Sequence, residues 1–164
     1  QGRFDFTGND NQLAWSGVGQ GQDTMCPINM MLYMGAIANG GKAAMPRLIE
    51  KSTTAYGLPT GIYAPRKSGE LIDGTTARTI ADMMHNNVIE TYGQDRFPGM
   101  DICAKSGTAE VGPDKTPNAW FTGFLRDSAT PYAFIVLVEN GGGGSSVAGS
   151  VASRVLTAAV EKAY

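Results

Sequence analysis

The sequence predicts an α+β domain, an antiparallel sheet with helices packed on it, and three observations predict it. Three apolar runs follow one another between residues 101 and 139, joined by links too short for crossover helices, which is the pattern of an antiparallel meander. Segments with 3.6-residue apolar spacing lie before and after those runs, so the sheet has helices to cover it. The chain is 164 residues long, 42% hydrophobic and only 17% charged, which suits one domain with a real core and neither a disordered chain nor a charged coiled coil.

Taken in order, residues 1–24 are dominated by Gly, Asn, Gln and Asp around Leu13-Ala14-Trp15 and read as loops and turns. The first ten residues lack a basic end followed by an apolar stretch, so no signal peptide is expected there. Pro27 suits a first helical turn, and Ile28, Met31, Leu32, Met34 and Ile37 keep helical spacing until Asn39-Gly40-Gly41 stops it. The methionines clustered in this helix read as adaptable core packing. Residues 43–73, with scattered Pro and Gly, read as irregular or edge-strand structure with short extended pieces such as Leu48-Ile49.

A second helix is expected over residues 75–92, capped by Thr75 or Thr76, with Ile80, Met83, Met84, Val88 and Ile89 in period and Gly93 as its end. Residues 101–105 begin a strand, 119–125 form a second, and the run from Tyr132 to Glu139 forms a third, continuously apolar as a buried central strand would be. Gly141–Gly144 reads as a flexible connection, and residues 148–164 close the chain as a helix with Val151, Val155, Leu156 and Val160 on one side.

Several function classes fall away on composition. With 13 basic against 15 acidic residues, a net charge of −2 and no Lys/Arg cluster, nucleic-acid binding is not expected. Of the two hydrophobic runs that stand out, the longer, residues 134–138, is far too short to span a bilayer. His85 is the single histidine and reads as a surface or half-buried helix residue, which argues against a Ser/His/Asp triad. Cys26 and Cys103 form no C-x-x-C pair; a disulfide stays open, but each reads as a small buried apolar group. No metal site and no cofactor are expected.

Gly40-Gly41-Lys42 fails as a phosphate loop, because Ala36 stands where the first Gly belongs and Ala43 replaces the Ser/Thr. Gly17-Val18-Gly19-Gln20-Gly21 fails G-x-G-x-x-G at Gln22. Lys-Ser-Gly, a motif of active-site-serine β-lactamases and penicillin-binding proteins, occurs twice. Lys105-Ser106-Gly107-Thr108-Ala109-Glu110 leaves an apolar strand and precedes Trp120-Phe121-Thr122-Gly123-Phe124. Lys67-Ser68-Gly69 sits in a Pro-rich irregular stretch and reads as a turn.

The combination of Gly19-Gln20-Gly21, Cys26-Pro27-Ile28, Ala38-Asn39-Gly40-Gly41 and Lys105–Glu110, in this order, resembles the penicillin-binding protein transpeptidase domain from Gly17 to the last helix. Cys26 departs from the Thr usual at that helix start. The resemblance implies a partial β-lactamase/transpeptidase-like fold and a D,D-transpeptidase that cross-links peptidoglycan stem peptides through a serine acyl-enzyme, which β-lactam antibiotics acylate. By similarity, Ser106 and Thr108 would offer hydroxyls to the carboxylate of substrate or β-lactam, and Lys105 would supply positive charge and join a proton network. Gly107 would let the ligand approach the backbone. Lys105 and Thr108 are thus the candidate catalytic residues, the Thr108 N–H serving as an oxyanion-hole donor.

The family also needs a nucleophile in Ser-x-x-Lys and a second motif, Ser-x-Asn, and no serine here begins either pattern. In the family both precede the Gly-Gln-Gly segment. Residues 1–164 are therefore expected to be the C-terminal portion of the domain, inactive alone, with the N-terminal part of the same domain as a partner. The parent is expected at the extracytoplasmic face of the bacterial membrane, anchored by an upstream segment. Losing its strand partner would leave the run from Tyr132 to Glu139 a bare apolar edge, through which the isolated chain is expected to dimerise or swap. The alternative reading is a non-catalytic β-lactam-binding or sensor domain of the same fold.

Overall fold

The computed structural model describes residues 2–4, 6, 8–21 and 23–163. A short helix, α1 (Asp10–Gly17), occupies the region read as loops and turns. Asn9 caps it by accepting the Asn11 N–H at 2.9 Å, and Asp10 sits in the first turn, where a carboxylate suits the helix dipole. It buries no residue, so no apolar period marks it in the sequence. The second helix, α2 (Pro27–Ala38), has Pro27 in its first turn and ends at Asn39 before Gly40 and Gly41, both at positive φ. A Cβ on Gly41 would lie 1.9 Å from the Ile72 carbonyl oxygen, so only glycine lets these segments touch.

Residues 43–73 contain a hairpin of β1 (Lys51–Thr53) and β2 (Pro59–Ile62). Leu48 and Ile49 precede it, unpaired and exposed, because the register is set by the turn at Thr54. There Thr54 N–H donates to Leu58 O at 2.8 Å and Leu58 N–H to Thr54 Oγ1 at 3.2 Å. Lys67-Ser68-Gly69 is not a free turn. Lys67 bridges Ala44, Ser68 N–H donates to Ala43 O at 2.9 Å, and Ser68 Oγ accepts the Ala43 N–H at 2.9 Å.

The next helix, α3 (Gly74–Asn87), is capped by Asp73 rather than by Thr75 or Thr76. One carboxylate oxygen of Asp73 accepts both Thr75 and Thr76 N–H at 3.0 and 2.9 Å, and the Thr76 hydroxyl bonds the other oxygen. These bonds, that of the Thr76 hydroxyl foremost, hold the Asp73 carboxyl below its ordinary pKa. The helix runs on as a π turn, Val88–Tyr92, closed by Gly93 at φ 86°. Its core face is Ala77, Met84, Val88 and Tyr92.

Three antiparallel strands follow: β3 (Ile102–Ala109), β4 (Asn118–Leu125) and β5 (Ala133–Val138), in spatial order β3-β4-β5. Pairs such as Ser106↔Phe121 and Phe121↔Val136 fix the register. β3 continues through the whole Lys-Ser-Gly-Thr segment instead of stopping at Lys105. β4 is the central strand. β5 is an edge strand, apolar throughout because α2 approaches one of its faces and the last helix the other. On the first side, Met34, Met84, Cys103 and Phe124 form one core. On the second, Val88, Tyr92, Phe97, Ile102, Phe121, Ala152 and Leu156 form the larger one, with Phe121 against the rings of Tyr92, Phe97 and Phe134.

The glycine run is no flexible link. Gly142 N–H donates to Pro117 O at 2.9 Å, and Gly144–Ala148 is a π turn leading into α4 (Gly149–Glu161). α4 buries Gly149, Ala152 and Leu156, while Val151 and Val155 point outward, 41% and 57% exposed, contrary to the apolar side read from the sequence. The small residues let the helix lie close to Phe121, and that closeness selects the face. The last residue of the expected helix, Tyr164, lies outside the described residues. Both cysteines are free thiols. His85 is half-buried on α3, its Nδ1 3.2 Å from Asp101 Oδ1.

Candidate active site

A cleft of about 370 Å³ opens beside the outer edge of β3, lined by Lys105–Ala109, Trp120 and Thr122 of the sheet, Met30 and Met34 of α2, and Gln20 and Asp23 of the preceding loop. The methionine stripe therefore packs the core and walls the cleft with the same residues. Strand alternation puts Lys105 and Gly107 on one face of β3 and Ser106 and Thr108 on the other. A ligand lying along the edge in the plane of the sheet would have the Lys105 ammonium on one side and two hydroxyls on the other. All four predicted site residues thus border one space.

Their bonds are specific. Lys105 Nζ is exposed and donates to Ser106 O at 2.7 Å. Ser106 Oγ accepts from the Tyr92 hydroxyl at 2.9 Å, and that same phenolic oxygen accepts the Ser106 N–H at 2.7 Å. Thr108 Oγ1 accepts the Gly144 N–H at 3.2 Å. Each hydroxyl has accepted one bond and keeps its own proton to donate to an anion. Gly144 earns its place sterically: a Cβ there would lie 2.3 Å from Gly107 O and 2.8 Å from Trp120 O. Arg96 holds the loop from behind, donating to Ser145 O at 2.8 Å and Ser150 Oγ at 3.2 Å.

Three cleft or edge residues escape sequence reasoning. Burial of Tyr92 opposes its ionisation, but its hydrogen bonds to the hydroxyl and amide of Ser106 and to Asn87, with the Lys105 charge, outweigh burial and hold the phenol below its ordinary pKa. Gln20 Nε2 donates to Thr108 O at 3.0 Å across 88 positions of sequence. Asp23 carries a buried carboxylate oxygen, Oδ1, with no hydrogen-bond partner among the described residues, so an N–H or ammonium reaching it gains a charge-assisted bond. Gln20 stands inside a quoted motif; Asp23 and Tyr92 carry no local signal. Among the described residues no cluster of His, Cys, Asp and Glu could hold a metal ion.

An antiparallel sheet between two helical layers, with a cleft at the edge of the strand bearing Lys-Ser-Gly-Thr, is the arrangement that the resemblance to penicillin-binding transpeptidase domains implies. The family model "Penicillin binding protein transpeptidase domain" matches residues 4–157, and the chain belongs to that family. It is 29% identical over 140 residues to the peptidoglycan D,D-transpeptidase PbpA of Mycolicibacterium smegmatis, covering 84% of this chain and 28% of that protein. PbpA of Mycobacterium tuberculosis is 28% identical over 158 residues, covering 92% and 32%. Among solved structures, penicillin-binding protein A from M. tuberculosis, as a ceftriaxone acyl-enzyme complex, superposes with a TM-score of 0.89 at 24% identity, over 98% of this chain and 38% of that one. Penicillin-binding protein 2 of Pseudomonas aeruginosa gives 0.66 at 31% identity, over 87% and 32%. The chain spans about a third of the length of the curated relatives it matches.

Proposed function

We propose that residues 1–164 are the C-terminal, substrate-binding portion of a peptidoglycan D,D-transpeptidase domain acting at the outer face of a bacterial membrane. The observation that carries this reading is the convergence on one cleft of an ammonium, two proton-donating hydroxyls and a strand edge whose Thr108 N–H has no partner among the described residues. The carboxylate end of a stem peptide, or of a β-lactam in its place, is held by Lys105, Ser106 and Thr108. Backbone pairing along β3 aligns the scissile carbonyl, and the Thr108 N–H stabilises the oxyanion that forms on it. Gly107, with Trp120 Cβ 3.4 Å from where its own Cβ would stand, keeps the approach clear. The attacking serine comes from a Ser-x-x-Lys segment outside these residues, so the chain alone binds without acylation.

The same reading assigns the free edge of β5 and the adjoining hollow of about 460 Å³, lined by Met31, Leu32, Gly35 and Tyr132, to the N-terminal part of the domain. In isolation the chain pairs with a second copy through the edge from Tyr132 to Glu139. Sedimentation as a monomer at high concentration would remove that part of the proposal. No helix among the described residues is long and apolar enough to cross a membrane.

Intact mass after incubation with excess penicillin tests the reading. The chain alone should gain no mass, and a version extended upstream through Ser-x-x-Lys should gain one penicilloyl group. A stable adduct on the chain alone would overturn the assignment of the nucleophile.

A further inference from the structure

The outer edge of β3 is not uniformly open. Asp101 O accepts the Arg126 N–H from the β4 side, and the odd-numbered residues of β3 continue that pairing. The main-chain groups facing outward therefore belong to Ile102, Ala104, Ser106 and Thr108. Each outward carbonyl is met by a side chain: Ile102 O by His85 Nδ1 at 3.3 Å, Ala104 O by Asn87 Nδ2 at 3.2 Å, Ser106 O by Lys105 Nζ at 2.7 Å and Thr108 O by Gln20 Nε2 at 3.0 Å. Two outward N–H groups border the cleft, and they differ. That of Ser106 is closed by the Tyr92 hydroxyl at 2.7 Å, whereas that of Thr108 has no partner among the described residues.

We propose that Tyr92 is a register stop: it closes β3 at Ser106, so that an extended ligand pairs at Thr108 and must end within its next two residues. This rests on the reading of the cleft as a strand-receiving site. Bonded positions on a strand edge recur every two residues, about 6.8 Å apart. One repeat beyond Thr108, a longer ligand would present a carbonyl to an N–H already taken. What it meets there is the Lys105 ammonium and a Ser106 hydroxyl with its proton free, which suits a chain end bearing a carboxylate. Tyr92 cannot easily swing aside. The residue is 7% exposed, its ring packs edge-on against Phe121 with centroids 5.2 Å apart, and it is delivered by the π turn at the end of α3, a distortion that is common at functional sites. The tyrosine acts through Ser106 and is a positioning residue.

The test uses this chain and two probes: an Nα-acylated dipeptide with a free C-terminal carboxylate, and the same peptide extended by one residue. Affinities are followed through the Ser106 and Thr108 amide resonances, with amide hydrogen exchange measured without ligand. The expected result is about a tenfold preference for the shorter peptide, and a Ser106 amide protected at least about tenfold over that of Thr108. In Tyr92→Phe the preference should shrink to within about threefold, with the Ser106 amide exchanging faster. Equal binding of both peptides by the unaltered chain, or a Ser106 amide as exchangeable as Thr108, overturns the register stop and leaves the strand-receiving site standing. Failure of both peptides to bind, with Ser106 still protected, refutes the strand-receiving reading itself and the stop with it. The exchange comparison within the unaltered chain needs no variant, so a poorly folded Tyr92→Phe does not rescue the idea.

Discussion

The tripeptide Lys-Ser-Gly occurs twice, and the two copies have become different objects. At Lys67-Ser68-Gly69 the serine is fully spent inside the chain: its N–H and hydroxyl oxygen clasp Ala43, and its hydroxyl proton goes to Gly69 O at 2.6 Å. At Lys105-Ser106-Gly107 the serine hydroxyl accepts from Tyr92 but keeps its proton, on a strand whose edge borders a cleft. The first copy is an isolated bridge running into a bend at Gly69, and the second lies inside a continuous strand. The difference lies in what the remaining hydrogen-bonding capacity faces.

The largest effect should come from the support behind the second copy. Phe121 stands opposite Ser106 in the register and is completely buried against three other rings. Phe121→Ala should cost about 3–5 kcal/mol, read as a lowered urea midpoint. Next is the glycine that wedges the strand from the other side. Gly144→Ala forces backbone apart at Gly107 O and should cost about 1–3 kcal/mol, with the amide shifts of Gly107 and Thr108 moving most.

A direct contrast follows in ligand affinity. Lys105→Ala should weaken binding of a carboxylate-terminated peptide by about tenfold or more, and Lys67→Ala should leave it unchanged in the same titration. Equal effects of the two substitutions would erase the distinction between the copies. Asp23→Asn, which removes the charge from a cleft carboxylate whose Oδ1 has no partner among the described residues, should weaken an amine-bearing probe and spare an acetylated one.

The smallest effect is a pH dependence far from either copy. Asp73 is held below its ordinary pKa, so its capping of α3 adds stability that is complete above the unfolded carboxylate value of about 3.9. That increment disappears as pH falls through the lowered folded value. Thermal unfolding between pH 5 and 2 should therefore show a shallower loss in Asp73→Asn than in the unaltered chain.

What was legible in the sequence was whatever a short window contains. The boundaries of α2 follow from Pro27 and the Asn39-Gly40-Gly41 stop, and the meander from three apolar runs with short links. α1 was hidden because it buries nothing, and the true cap of α3 because Asp73, just before two plausible threonines, offers a carboxylate to both of their N–H groups. The outward turn of Val151 and Val155 could not be read from period alone, since the helix follows its small residues to reach Phe121. In the site, the strand residues were found by motif. Tyr92 was not, and the motif holding Gln20 gave no sign of its contact, because their partners lie 14 and 88 positions away and only the fold brings them together.

The clasp at Ser68 also has a bearing on how this chain tolerates change. Met45 N–H to Arg66 O, Ser68 to Ala43 and Leu71 N–H to Gly41 O close the excursion of residues 45–66 at its base, while Tyr56, Leu58 and Ile62 stand out in solvent at its far end. A loop whose ends are fastened together is insulated from the sheet, and lengthening or replacing it costs little closure entropy. The hairpin is thus the place where foreign segments of differing length, grafted between Arg47 and Tyr63, are expected to leave the cleft beside β3 unchanged.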